Sequence, residues 1–172
     1  MTADVPGFHA VANLADEHDR VTIGNLMHEM HAKRLAENMH ILKLVQVILT
    51  TLTTCSAGVV ILGETHTAAI ITGILATLAL AVELAQLRFD LASEIKRHNE
   101  TAFALWSLRE HYRRLHSDVL DGSISATMLR DHTQALFSEK QTIIRNAPPC
   151  SPKYYAHART EAKTRLLQAD KS

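Results

Sequence analysis

Histidines are the residues of this chain with the clearest capacity for chemistry, since imidazole nitrogens bind transition metals and carry protons. The chain has eleven of them, and the densest cluster is His-Glu-Met-His, in which His28 and His31 lie on either side of Glu29. A zinc hydrolase motif needs histidines four positions apart on one helical face, and no third ligand lies nearby in the sequence. We therefore expect core or surface histidines, with a metal site as the alternative.

Other patterns that carry catalysis do not occur in the sequence. It has no G-x-S-x-G elbow, no Cys-His arrangement and no paired carboxylates set on loops. Its two cysteines are Cys55, in an apolar segment, and Cys150, near the C-terminus, and a membrane would keep these regions apart, so we expect no disulfide. The sequence thus predicts no enzyme, no catalytic residue, no bound metal and no cofactor.

A polar face lies inside an otherwise apolar segment. Residues 44–63 form an uncharged run of about twenty residues. Small and hydroxylated residues in lipid favour close helix packing, whereas the same face in an oligomer would line a polar pore. Both interpretations stay open, because a closed pore is also a packed interface. The candidate pore-lining residues are Gln46, Thr50, Thr53 and Ala57, with Thr54 beside them.

The next apolar segment carries small residues at four-residue intervals, Ala69, Gly73, Thr77 and Ala81. Such a ridge suits close helix packing in a membrane. Glu83 lies off the ridge. It is either an interfacial residue near the membrane boundary or a further pore candidate, as one member of a carboxylate ring at a pore mouth.

Three arginines, Arg109, Arg113 and Arg114, form a basic cluster farther along the chain. The simplest interpretation is a solvated face or a contact with anionic lipid. The alternative is recognition of a phosphate-bearing ligand, because the guanidinium fork matches phosphate oxygens. Nucleic acid is not an expected partner, since the region is only modestly basic and has no basic motif interleaved with aromatic residues.

The elements that position these residues are two apolar helices. Residues 41–63 and 67–87 are each long enough to cross the hydrocarbon core of a bilayer, about 30 Å at about 1.5 Å per residue. The connection between them is short, which requires antiparallel neighbours. The sequence therefore predicts a transmembrane hairpin in contact with membrane lipid.

Basic residues flank the hairpin on both sides, whereas the turn has only Glu64 and His66. By the positive-inside rule, both termini should be cytoplasmic. The basic residues that favour this orientation are Lys33, Arg34 and Lys43 before the first span, and Arg88, Lys96 and Arg97 after the second.

Amphipathic helices are predicted on both sides of the membrane segments. After the second span, apolar positions alternate at steps of three and four from Leu91 to Val119, a stripe that includes His98 and would also serve as an oligomer seam. Asp121 and Gly122 should end this helix, and Ser123 or Ser125 should cap the next. The predicted regions are a flexible arm (1–18), a cytoplasmic helix (19–43), the hairpin (44–87) and a cytoplasmic helical region (88–172).

Together these features predict an all-α membrane protein: a two-helix transmembrane hairpin with a cytoplasmic helical bundle, assembled as a homo-oligomer. Two spans alone cannot enclose a channel, so any pore requires several copies. An alternative function is that of a non-conducting anchor or scaffold that recruits a soluble partner through its helical tail.

The order of these parts, with HYRRLHSDVLDGSIS after the spans and then RNAPPCSPKYYAHA, resembles the SLATT family over residues 20–165. These are two-transmembrane effector domains associated with SMODS nucleotidyltransferases and SLOG sensors in bacterial conflict systems. The positions that match best are Tyr112, Gly122 with the following Ile-Ser, Pro148 and Tyr154.

The resemblance implies a pore-forming or membrane-disrupting effector of the bacterial inner membrane, held inactive until phage infection triggers it. It implies no catalytic residues. No fused sensor domain follows in this sequence, so the expected trigger is a cyclic nucleotide bound by the cytoplasmic helices, or a separately encoded sensor or nucleotidyltransferase.

Overall fold

Five α-helices form the protein in a computed structural model that describes residues 8–62, 66–88 and 90–169. No strand occurs within these ranges. The chain divides into two units: a bundle unit, Met1–Ala32 with Lys96–Ser172, and a hairpin unit, Lys33–Ile95. The helices are α1 (Phe8–Leu62), α2 (His66–Arg88), α3 (Leu91–Leu120), α4 (Ala126–Asn146) and α5 (Pro152–Ala169).

The hairpin unit contains the two apolar stretches. One lies within Val11–Gly58 and the other within Ala69–Leu120, and each is long and apolar enough to cross a membrane. None of the residues in either apolar window is buried inside the chain. Large apolar side chains such as Val47, Ile70 and Ile74 are exposed, which is favourable in lipid rather than in water. The prediction of an all-α membrane protein is confirmed.

The N-terminal region differs from the flexible arm expected over residues 1–18, because α1 begins at Phe8. Leu14 is buried in the core of the bundle unit. Glu17 accepts a hydrogen bond from Lys140 of α4. Burial and this ion pair hold the segment in the helix. Residues 1–7 lie outside the described ranges, as does the predicted turn at residues 63–65.

The apolar stripe of α3 forms the core of the bundle unit. Its buried members include Leu105, Leu108, Tyr112, Leu115 and Val119, which confirms the predicted periodicity. The stripe packs within the chain, so its interpretation as an oligomer seam was wrong: this apolar surface is already used. The side chains that complete this core are Leu14 and Val21 of α1 and Leu129 of α4.

The turn between α3 and α4 follows the predicted signals. Gly122 has φ 65°, a left-handed conformation that a residue with a Cβ adopts only with strain. Its N–H donates to the carbonyl of Val119 at 3.2 Å. Of the two candidate caps, Ser125 is the one used, since its hydroxyl accepts from the Met128 N–H at 3.3 Å.

Candidate functional site

Three separated segments of the bundle unit bring two histidines and a cysteine together. His28 lies on α1, His98 on α3 and Cys150 in the segment before α5. The two Nδ1 atoms of the histidines are 2.9 Å apart. The Cys150 Sγ lies 3.5 Å from the Nδ1 of His28 and 3.8 Å from the Nδ1 of His98. His98 is 0% and His28 4% exposed, whereas Cys150 is half-buried.

The approach of α1 to α3 depends on residues one turn before His28. A Cβ added at Gly24 would lie 3.3 Å from the Cδ1 of Leu105, a tight contact that would require the leucine side chain to shift by a few tenths of an ångström. Next to it, the Asn25 side chain donates a hydrogen bond of 2.7 Å to the carbonyl of Ala102. These contacts fix the positions of His28 and His98 on facing helices.

The segment that carries Cys150 is held by prolines and by α5. Proline fixes φ, and Pro149 and Pro152 lie on either side of Cys150, so few conformations are open to it. The α5 helix packs against α1 through Ala158 and Leu26, both buried. The thiol is therefore held in place without being part of a helix.

A stack of aromatic rings adjoins the cluster. The ring of His31 is tilted against that of His98, with centroids 4.2 Å apart and an interplanar angle of 51°. It is stacked on the ring of Tyr154, with centroids 4.6 Å apart and an interplanar angle of 23°. The stack joins α1, α3 and α5. It limits rotation of the His98 ring, which is the most buried group of the cluster.

Burial keeps His28 and Cys150 uncharged near neutral pH. It is the main cause that lowers the pKa of His28 to about 4, with smaller effects from His98 and His31. Burial also raises the pKa of the Cys150 thiol to about 11. The contact of 2.9 Å between the two Nδ1 atoms requires that one of them donates a proton and the other accepts it. The site thus presents nitrogen and sulfur donors, which are ligands for transition metals.

Lowering the pH is expected to destabilise the bundle unit through His28. Its pKa is about 4 when folded and 6.5 otherwise, so the unfolded chain binds more protons between these values. Stability should fall as pH drops from 6.5 toward 4 and should not depend on this group above 6.5. We expect guanidinium unfolding midpoints, measured with a chelator present, to fall over this range.

The groups that face His28 are His98, His31 and Cys150. A His28→Asn variant should show a shallower dependence of the midpoint on pH, because it removes the group that must be protonated while buried. An equal slope in the wild type and the variant would contradict this assignment.

The motif His-Glu-Met-His drew attention to His28 but gave no sign of its partners His98 and Cys150. The neighbouring acid of the motif, Glu29, is exposed. His98 had appeared only as one member of the apolar stripe, and Cys150 only as an isolated thiol. Two signals could have identified them: a histidine at a core position, and a cysteine in the sequence Pro-Pro-Cys-Ser-Pro.

The candidate pore-lining residues differ in their exposure within the hairpin unit. Gln46, Thr53 and Ala57 are half-buried, whereas Thr50 and Thr54 are exposed. The Thr50 hydroxyl donates to the carbonyl of Gln46 at 2.9 Å, and that of Thr54 donates to the carbonyl of Thr50 at 2.9 Å. These bonds satisfy the donors within the helix, so the hydroxyls are tolerated in lipid and leave only acceptor lone pairs outward.

The small-residue ridge of α2 lies on the exposed face of the hairpin unit. Ala69, Gly73, Thr77 and Ala81 are all exposed, as is Glu83. A Cβ added at Gly73 would meet nothing within 4 Å. The half-buried residues of α2 follow another face, at Thr72, Leu75, Ala79, Val82, Ala85 and Gln86. The ridge is thus not the packing face within the chain.

The arginine cluster does not converge on one point. Arg109 and Arg113 both donate to the carboxylate of Glu110, at 3.2 Å and 2.9 Å, and the hydrogen bond from Arg113 is the main cause that lowers the pKa of Glu110. Arg114 instead lines a groove between α3 and α4 that also includes His132. A carboxylate between two of the guanidinium groups opposes phosphate binding there.

Four positions quoted for the family resemblance have structural roles. Tyr112 is in the core, Gly122 makes the turn after α3, Pro148 is buried, and Tyr154 stacks on His31. A comparison with curated proteins and one with solved structures gave no match. A family model, that of the SMODS and SLOG-associating 2TM effector domain family 4, matches residues 11–166. The chain belongs to this family of two-transmembrane effector domains.

Proposed function

We propose that the protein is a homo-oligomeric effector of bacterial anti-phage defence that permeabilises the inner membrane, with both termini in the cytoplasm. The family description supports an effector role with two membrane spans. Flanking basic residues support the orientation by the positive-inside rule. The bundle unit is then cytoplasmic, and a nucleotide signal or a separately encoded sensor or nucleotidyltransferase acts on it to open the pore.

The observation that supports the pore is the exposed hydroxyl pair Thr50 and Thr54, one turn apart on a span without charged residues. One hairpin cannot surround a channel, so several copies must contribute this face. In such an assembly, the outward lone pairs of the two threonines would face water and passing cations. The exposed ridge of α2, which includes Gly73, then provides a surface for close contact between copies.

Efflux from liposomes tests the pore. We expect the double substitution Thr50→Leu with Thr54→Leu to reduce ion efflux by at least about tenfold, because it replaces the polar face with hydrocarbon. Thr51→Leu is the matched control: Thr51 is also exposed and also donates to the carbonyl four residues earlier, at 2.8 Å. It lies about 80° around α1 from the midpoint of the pair. Its efflux should equal that of the wild type.

The assay should be run with and without candidate cyclic nucleotides, and the same variants should be compared for toxicity in cells. Equal efflux from the double variant and the wild type would show that Thr50 and Thr54 do not line the pore. A wild-type protein that stays impermeable under every trigger would reject the pore itself.

A non-conducting anchor is the second candidate function. Phe103 and Trp106 on α3 are exposed and stack on each other with centroids 5.7 Å apart, which is a surface suited to a protein partner. An anchor predicts that substitutions at Thr50 and Thr54 leave its biological effect unchanged, whereas Phe103→Ser with Trp106→Ser abolishes it. The two sets of variants therefore separate the candidates.

A further inference from the structure

We infer that His28, His98 and Cys150 bind a transition metal ion of the zinc type. The three side chains come from three different segments, and their donor atoms all lie within 4.8 Å of one another. No other group of this kind was found among the described residues. The site belongs wholly to the bundle unit, so the inference does not depend on whether the hairpin forms a pore.

The distances between donor atoms fit such an ion. Tetrahedral zinc has Zn–N bonds of about 2.0 to 2.1 Å and Zn–S bonds of about 2.3 Å, which places two nitrogens about 3.3 Å apart and each nitrogen about 3.6 Å from the sulfur. The corresponding distances among His28, His98 and Cys150 are 2.9 Å, 3.5 Å and 3.8 Å. Small rotations of the side chains are enough to reach the tetrahedral values.

The donor set selects a class of ion. Two imidazoles and a thiolate are borderline to soft ligands, which suit Zn²⁺ and related transition metals. Mg²⁺ and Ca²⁺ require oxygen ligands, and the cluster contains no carboxylate. Three protein ligands leave the fourth tetrahedral position for water or an exchangeable ligand, an arrangement more typical of reactive or regulatory zinc than of closed structural sites.

The surroundings hold the ligands in place. Both histidines present Nδ1 to the cluster, which requires that Nε2 carries the ring proton when the ion is bound. His31 and Tyr154 stack beside His98 and restrict its ring. Prolines on both sides restrict the position of Cys150. Such support from neighbouring residues is a feature of sites in which the metal ligands are already oriented.

A bound ion would join α1, α3 and the segment before α5 at one point. The contacts it links are distant in sequence, since His28 and Cys150 are 122 positions apart. Anything that binds the folded chain but not the unfolded one stabilises the fold. Release of the ion, by a chelator or by oxidation of the thiol, would loosen these three segments together.

Metal titration of the purified full-length protein in detergent tests the inference. Metal-free protein is titrated with Co²⁺ and followed by absorption, then with Zn²⁺ alone by calorimetry. We expect one ion per chain, tetrahedral Co²⁺ bands with a thiolate charge-transfer band, and displacement of Co²⁺ by Zn²⁺. Zinc should also raise the thermal unfolding midpoint of the wild type.

Cys150→Ser is the main variant because Cys150 is only half-buried and lies outside the helices. It should abolish the charge-transfer band and weaken zinc binding by more than about 100-fold, since losing even a residue that only supports a ligand weakens binding about 10- to 100-fold. Circular dichroism checks that the variant stays helical. Cys55→Ser and His132→Gln are matched controls at exposed positions, and both should bind as the wild type does.

Three results would overturn the inference. One is the absence of stoichiometric binding by the folded wild type. The second is a Cys150→Ser variant that keeps the wild-type cobalt spectrum. The third is a folded protein whose Cys150 is oxidised by peroxide at the same rate with and without zinc, because a thiolate bound to the ion should be protected.

Discussion

Replacing Leu108 by alanine is expected to lower the free energy of unfolding of the bundle unit by about 2 to 5 kcal/mol, the range found when a buried leucine is truncated. Leu108 is 0% exposed and lies in the middle of the α3 stripe. Its surroundings belong to α1, α3 and α4, which cannot all close on the space left behind. A domain stable by only about 5 to 15 kcal/mol would lose much of its stability.

Guanidinium unfolding in detergent measures this change. The single tryptophan, Trp106, lies on the same helix and provides an intrinsic fluorescence signal. Leu120→Ala is the matched control, because Leu120 ends α3 and is 67% exposed. It should change the free energy by no more than about 0.5 kcal/mol. A similar effect of both substitutions would mean that α3 does not form the core of the bundle unit.

Ile74→Arg is expected to prevent stable insertion of α2. Ile74 is near the middle of the helix and is 57% exposed in the hairpin unit. An arginine at the centre of a span is disfavoured by about 2.5 to 3.5 kcal/mol, which cancels the contribution of about six leucines. The fraction of the protein that resists extraction from membranes by alkali should fall severalfold.

Ile144→Arg provides a closely matched control. Ile144 is also 57% exposed, but it lies on α4 in the bundle unit. If only the hairpin unit contacts lipid, this variant should resist extraction as the wild type does. If resistance to extraction falls equally in both variants, α4 also lies in the membrane. If resistance is unchanged in Ile74→Arg, α2 does not span the membrane.

Patterns that depend on neighbouring residues were predicted well. The stripe of α3, its end at Gly122 and the cap at Ser125 follow from periodicity and from local backbone chemistry, which a sequence records directly. The packing of Leu14 and the ion pair of Glu17 with Lys140 could not be predicted, because they are made with distant helices. Local composition contains no record of such partners.

The sequence marks His98 and Cys150 individually, but their meeting with His28 could not be predicted, for the same reason. His28 and His98 are 70 positions apart, and the two apolar spans lie between them in the sequence. Only the packing of α1 on α3 brings them together. The role of the arginine cluster stays a prediction, and the ion pairs of Arg109 and Arg113 with Glu110 favour its interpretation as a solvated face.

The bundle unit is built from both ends of the chain, Met1–Ala32 and Lys96–Ser172, and this fixes an order of events on the ribosome. Synthesis proceeds at about 5 to 20 residues per second, so the first segment waits several seconds for its partners. The hairpin leaves the ribosome during this interval and is available for insertion before the core of the bundle unit can form. Slow insertion would therefore leave both the spans and the unpaired first segment exposed to chaperones and proteases.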